Sequence, residues 1–552
     1  MLCQDFGLSR ELASVLVARG FDDPERTAQF LTDGLRQLPD PFLLKGMSRA
    51  VLRLEQALQS DELIIIHGDY DVDGITACTL LVTVLRQLGG RVDFHIPLRM
   101  EEGYGLSSQA LEAAQAAGAA VVVSVDCGVT ALEEAELARS LGLDLIITDH
   151  HQPKSSLPAA LAILNPHQPG CEFPGRNLSG VGVAFFLAAG LRKQLRESGY
   201  FDSRPEPDLR QQLDLVALGT VADLVPLHGV NRILVRSGLA MLQNTLRVGL
   251  QALKQVAAVK QVDCGSVGFR LAPRLNAAGR LDDARLAVEL LLTEDLAFAR
   301  QTAAELDQVN LQRQQLEQQI LDQAVARVEA SGPLAERFSL VLADAAWHQG
   351  VIGIVASRLV ERFYRPVVLI ALDGELGKGS ARSISGFHLF QGLQQCSATL
   401  TAFGGHEYAA GLALPAGQLE AFSSAFEAAA HSQLGSAELT RSRFYDRELL
   451  LEDISEPLAC ELELLNPCGA GNPEPVFLAT GLCAQQVRRV GTHHLRLQCR
   501  QGGYSFPAIA FGMAERIEQF SAPFDILFSL SFNEWQGRRV LQLRIRDVRP
   551  AG

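Results

Sequence analysis

The pattern of apolar and polar positions changes character several times along the chain. Up to about residue 60 apolar residues recur at helical spacing, from Leu12 to Arg19 and from Glu25 to Leu31, and the Leu38-Pro39-Asp40-Pro41 segment breaks that pattern. From residue 62 short, wholly apolar runs take over. Leu63-Ile64-Ile65-Ile66, Val92 to Ile96, Ala120 to Val125, Asp144 to Thr148 and Ala162 to Leu164 read as strands. Gly74 to Leu88, Ser108 to Ala117 and Ala131 to Leu141 read as helices between them. Strands flanked by helices predict a mainly parallel, doubly wound sheet.

Residues 283 to about 330 read as one long connecting helix, with Leu306, Val309, Leu316, Ile320 and Ala324 along one face. After Ser331-Gly332-Pro333, strands return at Phe338 to Leu342 and Pro366 to Ala371, which predicts a smaller α/β domain to about residue 432. Past residue 440 the segments His494 to Arg500 and Val540 to Arg546 alternate strictly, as in a β-barrel or sandwich. The expected fold class is therefore α/β, in four parts. Residues 1–282 form the parallel-sheet domain with its helical N-terminal part, 283–330 the connecting helix, 331–432 the smaller α/β domain and 433–552 the β-barrel.

Composition narrows the class. The 552 residues fit roughly three to four domains. With 47% hydrophobic and 20% charged residues the chain reads as globular. No run approaches the roughly 18–20 apolar residues of a membrane span, and the N-terminus lacks a basic segment followed by an apolar one. The 10 cysteines are scattered without a Cys-x-x-Cys, so a reducing cytoplasm is expected. A net charge of −14 argues against coating nucleic acid through bulk positive charge. It leaves room for a local basic groove and for a dense cluster of metal-binding carboxylates.

The acidic residues fall where such a sheet binds its ligands, at the carboxyl ends of the strands. The first strand ends in His67-Gly68-Asp69-Tyr70-Asp71-Val72-Asp73-Gly74, the third in Ser124-Val125-Asp126-Cys127-Gly128, the fourth in Thr148-Asp149-His150-His151. Parallel strands bring these tips to one edge. Several carboxylates there repel unless a cation neutralises them. Oxygen donors with one or two imidazoles suit Mn²⁺ or Mg²⁺.

These segments, with Asp223 in Leu218-Gly219-Thr220-Val221-Ala222-Asp223, resemble the motifs of the DHH phosphoesterases. Ala272-Pro273-Arg274-Leu275-Asn276-Ala277-Ala278-Gly279-Arg280, Trp347-His348-Gln349-Gly350-Val351-Ile352-Gly353, Gly404-Gly405-His406 and Asn466-Pro467-Cys468-Gly469-Ala470-Gly471-Asn472-Pro473-Glu474-Pro475 look like the RecJ subgroup and its DHHA1 domain. The resemblance implies a single-strand-specific 5′→3′ exonuclease. It implies that Asp69, Asp71, Asp126, His150 and Asp223 bind two Mn²⁺ ions, with Mg²⁺ as an alternative. His151 is expected as an acid or phosphate-orienting group, with Asp149 and Asp73 supporting ligands or waters. His67 is left as either a further ligand or a polar strand end. Val72, where many relatives carry alanine, and Cys468, often aromatic, are mild departures. The chain is expected to end after the barrel, without the extra module of some relatives.

For the substrate, Arg99 is placed to pair with phosphate and Tyr104 to stack a base. Arg280 is a second candidate for a phosphate contact. Ser380 and Arg382, in Gly377-Lys378-Gly379-Ser380-Ala381-Arg382-Ser383, have the composition of an anion pocket, which the resemblance makes the pocket for the 5′ end. Gly404, Gly405 and His406 would let a backbone approach and offer an imidazole. The region 485–549 is net basic through Arg488, Arg489, Arg496, Arg500, Arg516, Arg538, Arg539, Arg544, Arg546 and Arg549. With Tyr504, Phe511 and Trp535 it suits a single-strand-binding OB-fold. The expected partners are single-stranded DNA and, by family analogy, a single-strand-binding protein and a RecQ-type helicase; a monomer is expected. The rival readings are a small-oligonucleotide or cyclic-dinucleotide phosphodiesterase, a non-catalytic scaffold, and a nucleotide-binding Rossmann module, which would need glycines where the first turn here is rich in aspartate.

Overall fold

The structure is a computed structural model, and it describes residues 2–32, 34–98, 102–281, 283–435, 439–535 and 538–551. Its first sheet is wholly parallel, in the order β2-β1-β3-β4-β5: β1 Leu63–His67, β2 Arg91–His95, β3 Ala119–Val125, β4 Asp144–Thr148 and β5 Ala162–Leu164. The apolar runs explain it, because a parallel sheet must bury both faces. Ile64, Ile66, Val121, Val123 and Ile146 point to one side, against the helices Val72–Gln87 and Gly180–Glu197. Ile65, Val122, Leu145 and Ile147 point to the other, against the helices Ser108–Ala116 and Leu132–Ser140.

The expected continuous connector is two helices, Arg285–Leu292 and Leu296–Ala330. The break falls at Thr293-Glu294-Asp295, where Asp295 accepts from the backbone N–H of Ala297 and Phe298 and so caps a new helix. The long helix runs into the second domain, where Ile320, Ala324 and Val328 pack with the helix Gln349–Phe363 on a mixed sheet. That sheet has the order β6-β7-β8-β10-β9: β6 Leu340–Asp344, β7 Val367–Asp373, β8 Leu376–Arg382, β9 Ala402–Gly405 and β10 Ala409–Pro415.

The C-terminal strands β12 Phe477–Val490, β13 His494–Gln501, β14 Tyr504–Ala510, β15 Phe524–Trp535 and β16 Arg538–Pro550 close into a five-stranded barrel, because β12 pairs with both β13 and β15, and the short β11 Arg447–Glu448 adds to β12 outside the ring. The N-terminal helices Arg10–Ala18 and Pro24–Thr32, grouped by sequence with the parallel-sheet domain, belong elsewhere. Leu12, Val15, Leu16 and Phe30 share a core with Phe477, Leu482 and Phe528 of the barrel. Their apolar stripe says that they pack, not on what. Among the described residues no helix is long and apolar enough to cross a membrane.

Candidate active site

The tips of β1, β3 and β4 converge as the pattern predicts. Asp71 caps the Val72–Gln87 helix, accepting from the N–H groups of Asp73 (2.8 Å) and Gly74 (3.1 Å). Val72 N–H donates to Asn276 Oδ1 at 3.1 Å, so the Ala272–Leu281 helix fixes the same turn. Asp126 follows β3 in the left-handed region at φ 61°, and its N–H donates to Thr148 of β4. A non-glycine residue there is uncommon. Asp223 caps the C-terminal end of the Leu213–Ala222 helix.

Ligand atoms of Asp69, Asp71 and Asp126 lie within 4.8 Å of one another, as do those of Asp73, His150 and Asp223 and those of Asp126, His150 and His151. His150 Nε2 is 3.1 Å from Asp126 Oδ1 and 3.6 Å from Asp223 Oδ2. All three atoms are buried and none makes a hydrogen bond. Donors that face each other without bonding fit a shared cation. Burial and the neighbouring carboxylates push Asp73 up to about 7 and Asp223 up to about 9, and raise Asp126 well above the carboxylate range. Burial and then the neighbouring His151 lower His150 to about 4, and its backbone bond to Leu178 orients the ring. His150 is therefore a neutral imidazole with a free Nε2, the form that binds a metal.

Asp73 and Asp149 are structural hubs. Asp73 accepts from the N–H groups of Gly180 (2.6 Å) and Val181 (2.8 Å), at the start of the Gly180–Glu197 helix. Asp149 accepts from Val129 N–H, from the N–H groups of His150 and His151, and from His151 Nδ1 at 2.8 Å. Burial alone would raise Asp149, but the His151 bond and charge outweigh it and hold the pKa low. The same contact raises His151 to about 9 against its own desolvation, so it is a cation at neutral pH. Glycine 180 was invisible to motif reading. A Cβ there would stand 2.5 Å from Asp126 Oδ1, so the glycine leaves room for the Asp126 carboxylate beside the helix start that Asp73 binds.

His67 is buried, with Nε2 3.1 Å from the Gly105 carbonyl, and among the described residues it joins none of the three clusters above. Burial, and then the neighbouring His95, lower its pKa to about 4. Tyr104 donates to the Asp126 carbonyl at 3.1 Å and touches His151, while 53% of the residue stays exposed. Glu102 holds the loop that carries Tyr104, accepting from Leu98 N–H and Ser107 Oγ. Arg99 lies outside the described residues.

Arg280 donates to the Gly350 carbonyl at 3.0 Å, across the junction of the two domains. Gly279, beside it, lies against the Tyr70 carbonyl, where a Cβ would come within 2.4 Å. Gly353, one turn beyond Gly350, packs on Ser380 and Arg382, with clearances of 2.8 and 3.1 Å for a Cβ. A packed path thus runs from the Asp69–Asp71 turn to Ser380 and Arg382 of β8. Gly404, Gly405 and His406 are exposed on edge strand β9 and the turn after it, and Gly404 has open space above it.

On the barrel, Arg488 pairs across the ladder with Arg496, and Ile509 lies between Arg496 and Arg544. Arg544 sits over the Phe511 ring at 5.4 Å. Tyr504 and Phe511 are about half exposed. Arg544 also lies 3.9 Å from Glu474, which Arg546 pairs with more closely, and further ion pairs join Arg516 to Asp547, Arg549 to Asp525 and Arg539 to Glu463. The side chains of Trp535 and Arg538 lie outside the described residues.

A doubly wound sheet with this acid–histidine edge, followed by a small mixed-sheet domain, defines a DHH phosphoesterase. The DHH family N-terminal domain matches residues 63–220, the DHHA1 domain 336–432 and the RecJ OB domain 445–547. The chain belongs to the RecJ family. It is 40% identical to the single-stranded-DNA-specific exonuclease RecJ of Bacillus subtilis, over 99% of this chain and 69% of that protein. It is 39% identical to RecJ of Escherichia coli, over 95% of this chain and 94% of that one. The crystal structure of Thermus thermophilus RecJ in complex with Mn²⁺ superposes with a TM-score of 0.83 at 34% identity, covering 99% of this chain and 77% of that one. The Mg²⁺ complex gives 0.77 at 32% identity, covering 99% and 76%.

Proposed function

We propose that this chain is a single-stranded-DNA-specific exonuclease that hydrolyses phosphodiester bonds in the 5′→3′ direction, releases 5′ mononucleotides and acts in DNA repair and recombination. One observation carries the reading: buried Asp126 Oδ1, His150 Nε2 and Asp223 Oδ2 face each other unbonded at the sheet edge. The donor set, carboxylate oxygens with one neutral imidazole, fits Mn²⁺, with Mg²⁺ as the alternative. Asp69, Asp71, Asp126, His150 and Asp223 would hold two such ions. When bound, the pair supplies an activated water and neutralises charge on the phosphate and the leaving 3′ oxygen.

The chain's own groups do the rest. Asp73 fixes the Gly180–Glu197 helix under the cluster, and Asp149 takes the Nδ1–H of His151. That leaves His151 Nε2–H to donate to a phosphate oxygen or to the leaving oxygen. Tyr104 closes over Asp126 and presents a half-exposed ring to a base. Arg99 and Arg280 would contact phosphates. Ser380 and Arg382 would hold the 5′ end, with Gly404, Gly405 and His406 beside the strand, so that the bond next to a captured end is the one cut. Arg488, Arg496 and Arg544, with Tyr504 and Phe511, would grip the strand on the barrel.

By analogy with the family, the protein would work as a monomer in the cytoplasm, beside a single-strand-binding protein and a RecQ-type helicase. The test is a single-stranded oligonucleotide labelled at either end, with Mn²⁺, next to Asp126→Ala. Mononucleotides released from the 5′ end, lost in the variant and absent on blunt duplex, bear the reading out. Cleavage confined to oligomers of a few nucleotides points to the small-oligonucleotide phosphodiesterase, and binding without cleavage to a scaffold.

A further inference from the structure

The glycine-rich loop ahead of the barrel, Gly469-Ala470-Gly471-Asn472, plays no part in the chemistry above, yet it grips the segment that follows Asp223. Leu227 N–H donates to the Ala470 carbonyl at 2.8 Å. A Cβ on Gly469 would meet Leu227 Cδ1 at 2.7 Å, and one on Gly471 would meet Pro226 at 2.9 Å and His228 at 3.0 Å. The loop is itself rigid. Gly469 and Asn472 exchange backbone hydrogen bonds, and buried Asn472 donates to the carbonyls of Leu465 (2.8 Å) and Pro467 (2.9 Å). Arg232, fully buried, ties the adjoining helix to the carbonyls of Leu464 and Leu465.

From the gripped segment, contacts lead to two ligand positions. Leu227 is four residues beyond Asp223, and Leu224 between them is held left-handed at φ 59°. Asn231 Nδ2 donates both to the Pro226 carbonyl (3.0 Å) and to the Asn177 carbonyl (2.6 Å). The next residue, Leu178, supplies the carbonyl that orients His150. We propose that the Gly469–Asn472 loop is a positioning element for the metal site: the C-terminal module, besides holding DNA, sets the places of Asp223 and His150. This rests on the metal site proposed above. Groups that orient metal ligands typically change affinity about 10–100-fold when lost.

The experiment measures Mn²⁺ binding to the full chain by the loss of the free-ion spin-resonance signal, and binding of a labelled single strand in EDTA. Gly469→Val is expected to weaken Mn²⁺ about tenfold with unchanged DNA affinity. Gly469→Ala, whose single methyl meets the far end of Leu227, should show a smaller loss. Adding Leu227→Ala to Gly469→Val should restore Mn²⁺ affinity, which general loosening of the fold would not do. Arg496→Ala should weaken DNA alone. Wild-type Mn²⁺ affinity in folded Gly469→Val and Gly469→Ala, or no rescue by Leu227→Ala, overturns the proposal. Absence of Mn²⁺ binding by the wild type overturns the metal site itself, and this proposal with it.

Discussion

His150 Nε2 lies 3.1 Å from Asp126 Oδ1, and the two form no hydrogen bond. Two buried polar atoms this close, both unsatisfied, cost free energy unless a third party takes both lone pairs. Asp126→Asn keeps the volume and removes a charge. It is expected to abolish cleavage and to weaken Mn²⁺ by at least the roughly 10–100-fold that loss of a supporting group causes. Isothermal titration with Mn²⁺ checks this, and wild-type affinity in the variant refutes it.

The same cluster makes stability depend on pH and metal together. Burial and neighbouring carboxylates push Asp73 up to about 7 and Asp223 up to about 9 from an ordinary 3.8. Folding takes up protons at such groups. Their contribution is fully present below about pH 4 and is lost as pH rises through about 7 and then about 9. The metal-free protein should therefore melt at lower temperature at pH 8.5 than at pH 6. The rise in Tm on adding Mn²⁺ should be larger at pH 8.5, since the cation takes the place of those protons. A metal-free Tm that does not fall with pH contradicts this.

His151 should set the alkaline limb of the rate. Its contact with Asp149 raises it to about 9 against its own burial, so it stays protonated through neutral pH. Asp149→Asn removes that charge, and the alkaline limb of kcat should move toward the ordinary histidine range near 6.5. His151→Gln should lower kcat about 10²–10⁴-fold, the range for a general acid, with Mn²⁺ affinity changing far less. Equal losses of metal affinity and rate would make His151 a ligand instead.

How far these residues were legible follows from what each does. The strands of the first sheet were readable because two-sided burial writes continuous apolar runs. The carboxylates stood out because the ends of β1, β3 and β4 fall on one edge. Gly180 left no trace, since its role is a 2.5 Å approach to a residue far away in sequence. The packing of Leu12 and Leu16 into the barrel core was unreadable for a similar reason: an amphipathic stripe does not name its partner. The split of the connector was marked by the Asp295 cap, which a longer periodic pattern masked.

Gly180→Ala tests that hidden contact. The methyl must displace the Asp126 carboxylate or the start of the Gly180–Glu197 helix. Overpacking of this kind typically costs about 1–3 kcal/mol. The expected outcome is a folded protein with lower Tm and Mn²⁺ affinity reduced more than in any exposed-surface control. Unchanged metal binding would show that the helix yields and the carboxylate keeps its place.

The β8 cations should act on the end of the strand and not on the metals. Arg382 bonds Ser380 and the Ala381 carbonyl, and both Ser380 and Arg382 face Gly353 near the start of the Gln349–Phe363 helix. An arginine and a hydroxyl close to the first turns of a helix would suit an anion such as a terminal phosphate. Arg382→Ala should raise KM for a 5′-phosphorylated strand about tenfold, the loss of one charge-assisted hydrogen bond of roughly 1.5 kcal/mol. It should also erase the difference between phosphorylated and hydroxyl 5′ ends while Mn²⁺ affinity stays put. Arg496→Ala on the barrel should behave differently. It should weaken both kinds of end equally and flatten the salt dependence of binding by about 0.7 of a log–log unit for one lost single-strand phosphate contact. If Arg382→Ala also acted uniformly on both ends, the 5′ end would have to be held elsewhere, and polarity would need another origin than β8.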